Sequence, residues 1–299
     1  MDQKNERIDV GRTSYEALVF SKTVVKKGAS LHDAALKIEE FISKKGYGLS
    51  FPVNLSINNK AAHYTPGMDD KSVFGENDIV KVDLGARKGD LLGDCAITID
   101  LSGNNAHFVQ TAEDALDAAI HLVKAGVEVR AIGKEIEKVV KQQGYSPIVN
   151  LGGHGIEGEE LHAGSFIPNF DNGDTTKLEE GQVISIEPFI TNGEGRVIES
   201  SEIQIYQKLY PAMPRSKEAR QIQEIIDKNY LTYPFALRWI SKDIPGMSEF
   251  GIRRGISELV ALGCLEEFPV LVERSGGIVA QAEMELIVEK DSCTVITKA

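Results

Sequence analysis

The stretch DIVKVDLGARKGDLLGDCAITIDL, residues 78–101, decides the fold class of this chain. Its two halves, Asp78–Ala86 and Leu91–Leu101, are rich in Val, Ile and Leu and are joined across Arg87-Lys88-Gly89-Asp90, a hairpin signal. Asp83 lies inside the first run and Asp94 eleven positions later, in the second. Side chains alternate between the faces of a strand, so Asp83 is expected to point away from the side that carries Val80, Val82 and Leu84. A hairpin could bring the two carboxylates together, although sequence alone does not set the register. Taken singly, each Asp also reads as a surface or turn residue. Together they are harder to dismiss, because two acids in apolar strands are costly to bury without a cation.

Outward from the hairpin, the period changes. Two helical segments open the chain; the second has Ser30 as N-cap, Asp33 three residues on, and Gly46 after its last periodic residue. Helical patterns at Val109–Ala125 and Val129–Gln143 end at Gly126 and Gly144, and Gly181–Ile190 and Ser201–Tyr206 read as strands. From 207 to 270 three helical patterns, Lys217–Tyr230, Phe235–Ser241 and Ser248–Leu262, are punctuated by Pro211, Pro214, Pro234, Pro245 and Pro269. Strand signals resume at Gly277–Glu289 and Thr294–Thr297. The expectation is an α/β (α+β) core of residues 1–206 and 271–299, with residues 207–270 as an inserted helical subdomain.

At 299 residues, 42% hydrophobic and 26% charged, the composition is that of a globular protein. A formal net charge of -12 argues against a nucleic-acid backbone as principal partner. Cys95, Cys264 and Cys293 are too few and too scattered for a disulfide framework or a cysteine zinc site. The start MDQKNERIDV lacks the apolar core of a secretory signal, and no run approaches the roughly 18 apolar residues that span a bilayer. A cytoplasmic protein without membrane contact is expected.

Three further stretches place ionisable residues in unusual surroundings. His154 lies in LGGHGI (151–156), read as a glycine-rich loop, with His162 eight residues later in LHAG (161–164). Glu187 lies in VISIEPF (183–189) and Glu283 in IVAQAEMELIV (278–288), both strand-like. Two Asp, two Glu and one His suit a pair of divalent ions such as Mn, Fe, Co or Zn, and four carboxylates balance their charge. Two such ions can activate water and polarise a carbonyl, which is chemistry for hydrolysing an amide.

These pieces stand in order with FPVNLSINNKAAHYTP (51–66), KVDLG (81–85) and GDCA (93–96). With them the chain resembles the type 2 methionine aminopeptidases of archaea and eukaryotes over most of its length from Phe51 onward. The resemblance implies a pita-bread fold with a pseudo-twofold core, and a winged-helix-like insertion matching 207–270. It implies that Asp83, Asp94, His154, Glu187 and Glu283 hold two metal ions, with Glu187 handling protons. His63 would sit near the substrate amine and His162 near the scissile amide, with Phe51, Phe189 and Phe268 lining the methionine pocket. The implied substrate is the N-terminus of a nascent polypeptide with a small second residue; transient ribosome contact and a monomeric state are expected. Rival readings are an Xaa-Pro aminopeptidase or prolidase of the same fold and a non-catalytic binding paralogue. The family usually has His and then Thr after its last ligand, where this chain has Met284 and Glu285. Alternation puts Gln281, Glu283 and Glu285 on one side and Met284 on the other. Glu285 is then either a group behind the metals that raises their affinity or the pKa of their water, or a solvated surface acid.

Overall fold

The register of the 78–101 hairpin sets the geometry around which the rest packs. The structure is a computed structural model that describes residues 3–298. In it Ile79–Leu84 pairs antiparallel with Cys95–Asp100, Asp83 facing Ala96 and Leu84 facing Cys95. The same register continues outward as Ala86–Lys88 against Leu91–Leu92, with Arg87 facing Leu92. Asp94 is therefore the diagonal neighbour of Asp83 on one face of the ribbon.

The ladder is interrupted at Gly85 and Gly93. A Cβ on Gly85 would lie 1.8 Å from the Gly93 carbonyl oxygen, so the strands approach as only glycine permits. Gly85→Ala must part the hairpin between the two aspartates. It is expected to remove about 3 kcal/mol or more of stability in urea unfolding, as backbone clashes in a buried strand do.

The first half of the core runs α1 (Gln3–Val24), α2 (Leu31–Lys44), β1 (Gly48–Leu49), β2 (Asn54–Ile57), β3 (Lys60–Ala62), β4 (Ile79–Leu84), β5 (Ala86–Lys88), β6 (Leu91–Leu92) and β7 (Cys95–Asp100). The second runs α3 (Ala106–Ile120), α4 (Val129–Gln142), β8 (Ser146–Pro147), β9 (Gly152–Glu157), β10 (Glu160–Pro168), β11 (Val183–Ile186) and β12 (Phe189–Thr191). The long β13 (Val197–Lys208) leads to α5 (Lys217–Ile225), one wide helical turn at Ile226–Tyr230, β14 (Phe235–Ala236), α6 (Leu237–Asp243) and α7 (Glu249–Ala261). The chain returns through β15 (Leu265–Glu273), β16 (Val279–Gln281), β17 (Met284–Val288) and β18 (Cys293–Val295).

Local chemistry starts the helices: the hydroxyls of Ser30, Ser216 and Ser248 accept the N–H groups of Asp33, Ala219 and Gly251. Packing then sorts them into pairs. Val80, Val82 and Leu84 on the face away from Asp83 pack with Val10, Leu31 and Ile38 of α1 and α2. Ala115, Ile132 and Ile136 of α3 and α4 cover Ile184, Ile186 and Leu286 in the same way. The two helix pairs leave the other faces of the strands for the site, and the fold is the expected α/β pita bread. A third apolar cluster, including Ile222, Phe235, Ile240 and Leu259, joins α5, α6 and α7. Among the described residues no helix is long and apolar enough to cross a membrane.

Four local expectations are corrected. The glycine-rich run around His154 is a strand, not a loop: β9 pairs with β10, Gly155 facing Ala163. Its glycines serve close backbone approach, since a Cβ on Gly153 would meet the Ser185 carbonyl oxygen at 2.0 Å. The helix expected to reach Ala125 stops at Ile120, because the N–H groups of Ala125 and Gly126 bond to Glu289 and Leu178 instead. The strand expected through Ile190 breaks at Glu187-Pro188, where proline has no N–H for a ladder. Finally, Leu265–Glu273, left within the end of the helical block and its proline punctuation, is a nine-residue strand paired along β13.

Candidate metal centre

Three chain segments meet on the Asp83–Asp94 face. Asp94 precedes β7, His154 sits on β9, and Glu283 lies between β16 and β17, tied to Ala96 by backbone hydrogen bonds in both directions. One ligand atom from each of Asp94, His154 and Glu283 lies within 4.8 Å of the others. His154 Nε2 is 3.4 Å from Asp94 Oδ2 and 3.8 Å from Glu187 Oε1. Gln281 Nε2 closes the group, 3.1 Å from Glu187 Oε2 and 3.4 Å from Asp83 Oδ2. Ser185 donates its hydroxyl to Glu283 Oε1 at 2.5 Å, which orients that carboxylate.

The donor set fits divalent cations. Asp83 Oδ1, Glu283 Oε2, Gln281 Oε1 and Asn54 Oδ1 are buried acceptors without any hydrogen-bond donor. Buried oxygens rarely go unpaired, and a cation is a partner that protein donors need not replace. His154 Nδ1 lies 3.2 Å from the Gly155 carbonyl, which can only accept, so its proton sits there and Nε2 keeps a lone pair towards the carboxylates. Burial lowers the His154 pKa to about 4, which keeps the ring a neutral ligand.

Without a cation the acids oppose their own burial. Burial raises Asp83 to about 7. It holds Asp94, Glu187 and Glu283 well above the usual carboxylate range, with neighbouring carboxylates adding to the effect. Each group then keeps its proton more tightly in the folded chain than in the unfolded one. Below about pH 4 both states are protonated and nothing is lost; as pH rises, the unfolded chain gains by releasing protons the folded chain retains. These carboxylates thus cost the metal-free protein stability from about pH 4 to about pH 7, the folded value of Asp83, while the lowered pKa values of His63, His154 and His162 act in the opposite sense. The gap in urea midpoint between protein saturated with a divalent ion and chelated protein should therefore widen from about pH 4 to about pH 7.

Beside the cluster opens a cavity of about 440 Å³, lined by Asp83, Asp94, Glu187 and Glu283 together with Phe51, His63, His162, Phe189 and Phe268. His63 follows β3 with φ 64°, a left-handed conformation uncommon outside glycine. Its Nδ1 lies 3.2 Å from the Pro269 carbonyl and its ring meets Phe268 edge-on at 5.6 Å. The His162 ring stands 4.4 Å from that of His154. Burial, reinforced by a neighbouring imidazole, lowers His63 to about 4 and His162 to about 3, so both are neutral bases at pH 7.

Glu285 is not a solvated acid. It is fully buried, 3.4 Å from Arg7 Nη1 of α1, and it accepts the Asp94 N–H at 3.2 Å. Burial raises its pKa to about 8, against the pull of Arg7 and the Asp94 N–H. Met284 points the other way and packs against the cluster under α3 and α4.

Residues 9–211 match metallopeptidase family M24. The chain belongs to that family. It is 41% identical over 298 residues to a methionine aminopeptidase of Archaeoglobus fulgidus, covering 99% of both chains. A methionine aminopeptidase of Pyrococcus horikoshii is 40% identical over 97% of this chain and 98% of its own. The solved methionine aminopeptidase of Thermotoga maritima shares the fold, with TM-score 0.70 at 21% identity over 98% of this chain and 95% of that one. The structure brings Asp83, Asp94, Glu187 and Glu283, the four acids singled out in the sequence as ligands, to one cavity with His154, and Glu285 is buried behind Asp94. Three participants escaped the sequence reading. Gln281 was on the right side of its strand by alternation, Ser185 lies two residues before Glu187, and Asn54 faces Asp83 across β2 and β4. Each is a polar residue in an apolar strand, which is the signal that marked the acids.

Proposed function

We propose that this M24 chain is a type 2 methionine aminopeptidase. It removes the first methionine of newly made polypeptides by hydrolysing the first peptide bond, favouring small second residues. The observation that carries this reading is the meeting of Asp94, His154 and Glu283 in a cavity walled by His63, His162 and three phenylalanines. Asp83, Asp94, His154, Glu187 and Glu283 would hold two divalent ions (Co, Mn, Fe or Zn), which when bound lower the pKa of water and polarise the scissile carbonyl. Glu187 takes the proton of the attacking water and passes it to the leaving amine. His63, its Nδ1–H committed to Pro269, offers an acceptor Nε2 to the substrate's N–H groups. His162 contacts the scissile amide. Phe51, Phe189 and Phe268 give the methionine side chain an apolar seat.

Glu285 stands behind this set as the group that fastens the Asp94 backbone. Glu285→Thr should weaken divalent-ion binding about tenfold in calorimetry, the usual effect of losing a carboxylate that supports a ligand.

Residues 207–270 are read as an inserted unit on a catalytic domain of residues 1–206 and 271–299, a reading supported by the separate apolar cluster of α5, α6 and α7. The protein is read as a cytoplasmic monomer that meets nascent chains near the ribosome; a net charge of -12 weighs against a role on nucleic acid. Chelated protein resupplied with single divalent ions should regain hydrolysis of Met-Ala-Ser and leave Xaa-Pro peptides uncut. Cleavage of the proline peptides at an equal rate, or activity indifferent to metal, would refute the reading.

A further inference from the structure

Arg238 is a buried cation outside the cavity, and nothing in the chemistry above calls for it. It sits in the first turn of α6 with its side chain 3% exposed. Nη1 donates to Thr65 Oγ1 at 2.6 Å and to the Pro66 carbonyl at 3.0 Å, while Nη2 pairs with Glu39 Oε1 of α2. The adjacent Trp239 donates its indole N–H to the other oxygen of Glu39 at 3.0 Å. Thr65 in turn donates its hydroxyl to the Val53 carbonyl at 2.7 Å. One guanidinium therefore joins α2, the turn after β3 and the segment leading into β2.

Both of those last two segments form cavity wall. Phe51 and Asn54 flank Val53, and His63 stands two residues before Thr65; all three line the cavity. His63 also holds a left-handed backbone, a conformation that persists only where the surroundings enforce it. The planar fork of an arginine can serve two acceptors and a carboxylate at fixed angles, which a lysine ammonium cannot.

We propose that Arg238 is a positioning residue for the hydrolysis: through Thr65 and Pro66 it holds the His63 turn, and with it the Phe51–Asn54 wall, in register with the substrate. This rests on the reading of His63 as a substrate-facing group. It also gives the helices after β13 a part in the active site. The competing account is a plain ion pair that fastens α6 to α2 and affects stability alone.

Thr65→Val separates the two accounts, since it keeps side-chain size and the Arg238–Glu39 pair but deletes the hydroxyl. Arg238→Lys keeps the charge and loses the fork. Both variants are compared with the parent after loading with manganese(II), by bound manganese, by kcat and KM on Met-Ala-Ser, and by the NMR signal of the His63 Cε1–Hε1 pair in metal-free protein. The expected result is unchanged manganese content, a loss of about tenfold to a hundredfold in kcat/KM carried mainly by kcat, and a moved His63 signal beside unmoved His107 and His121 signals. A kcat/KM within about twofold of the parent, with His63 unmoved, overturns the proposal however far the melting temperature falls. If Arg238→Lys does not fold, Thr65→Val decides alone. His63→Ala runs in the same assay: full activity there overturns the reading of His63 and this proposal together, whereas a crippled His63→Ala beside an active Thr65→Val overturns only the role of Arg238.

Discussion

Asp94→Asn should abolish peptide hydrolysis while making the metal-free protein more stable. The two effects have opposite signs because the same carboxylate is useful to a cation and unwelcome without one. Asp94 is 3% exposed, its ionised form is opposed first by burial and then by Asp83 and Glu285, and its Oδ2 lies 3.4 Å from His154 Nε2. An amide of the same shape relieves that opposition, so the melting temperature of chelated protein should rise by about 3 °C or more, equivalent to about 1 kcal/mol in a chain of this size. The same change removes one of the carboxylates proposed to hold the divalent ions, and activity should fall by about a thousandfold or more. A third measurement ties the two together. Divalent ion at about a hundred times its dissociation constant should stabilise the parent by about 2.7 kcal/mol and the variant far less. A variant that loses activity and stability together would instead mark Asp94 as an ordinary structural acid.

His63→Ala should lower kcat/KM by about a hundredfold or more, the scale of losing a positioned proton acceptor, with bound metal unchanged. The selectivity of the loss follows from where His63 stands. It touches the Pro269 carbonyl and Phe268, and among the described residues no hydrogen bond or ion pair joins its ring to the carboxylate cluster. Backbone strain is controlled separately, because alanine tolerates the left-handed conformation of this position less well than histidine. His63→Asn, a residue that tolerates that region well, serves as the control for folding. Loss of metal from His63→Ala would place the residue in the ion site and contradict its assignment to the substrate side.

Much of the site was legible in linear order because burial leaves a mark in composition. Asp83, Glu187 and Glu283 are acids inside runs of Val, Ile and Ala, and a chain puts such groups there only if something compensates them. The same rule, applied to neutral side chains, would have found Gln281, Ser185 and Asn54. The glycines around His154 misled, since glycine weakens a strand and signals a loop by propensity. Here its value is the missing Cβ: Gly153 and Gly155 lie where the backbones of Ser185 and Ala163 leave no room for one. Glu285 was ambiguous for a related reason. Alternation named its side of the strand, but only the packing of α1, with Arg7 beside it, shows that side to be interior.

By itself, the order of residues determined the elements and the donor types: hairpin, capped helices, and acids with a single imidazole sized for divalent ions. Those are local properties, set by periodicity, capping and the chemistry of each side chain. Tertiary structure alone decided which atoms meet. The diagonal of Asp83 and Asp94, the tie between Ala96 and Glu283, and the bridge from Arg238 to the His63 turn depend on strand register and on contacts between residues far apart in the chain. No window of sequence contains both partners of such a contact, so no periodicity within one can reveal it.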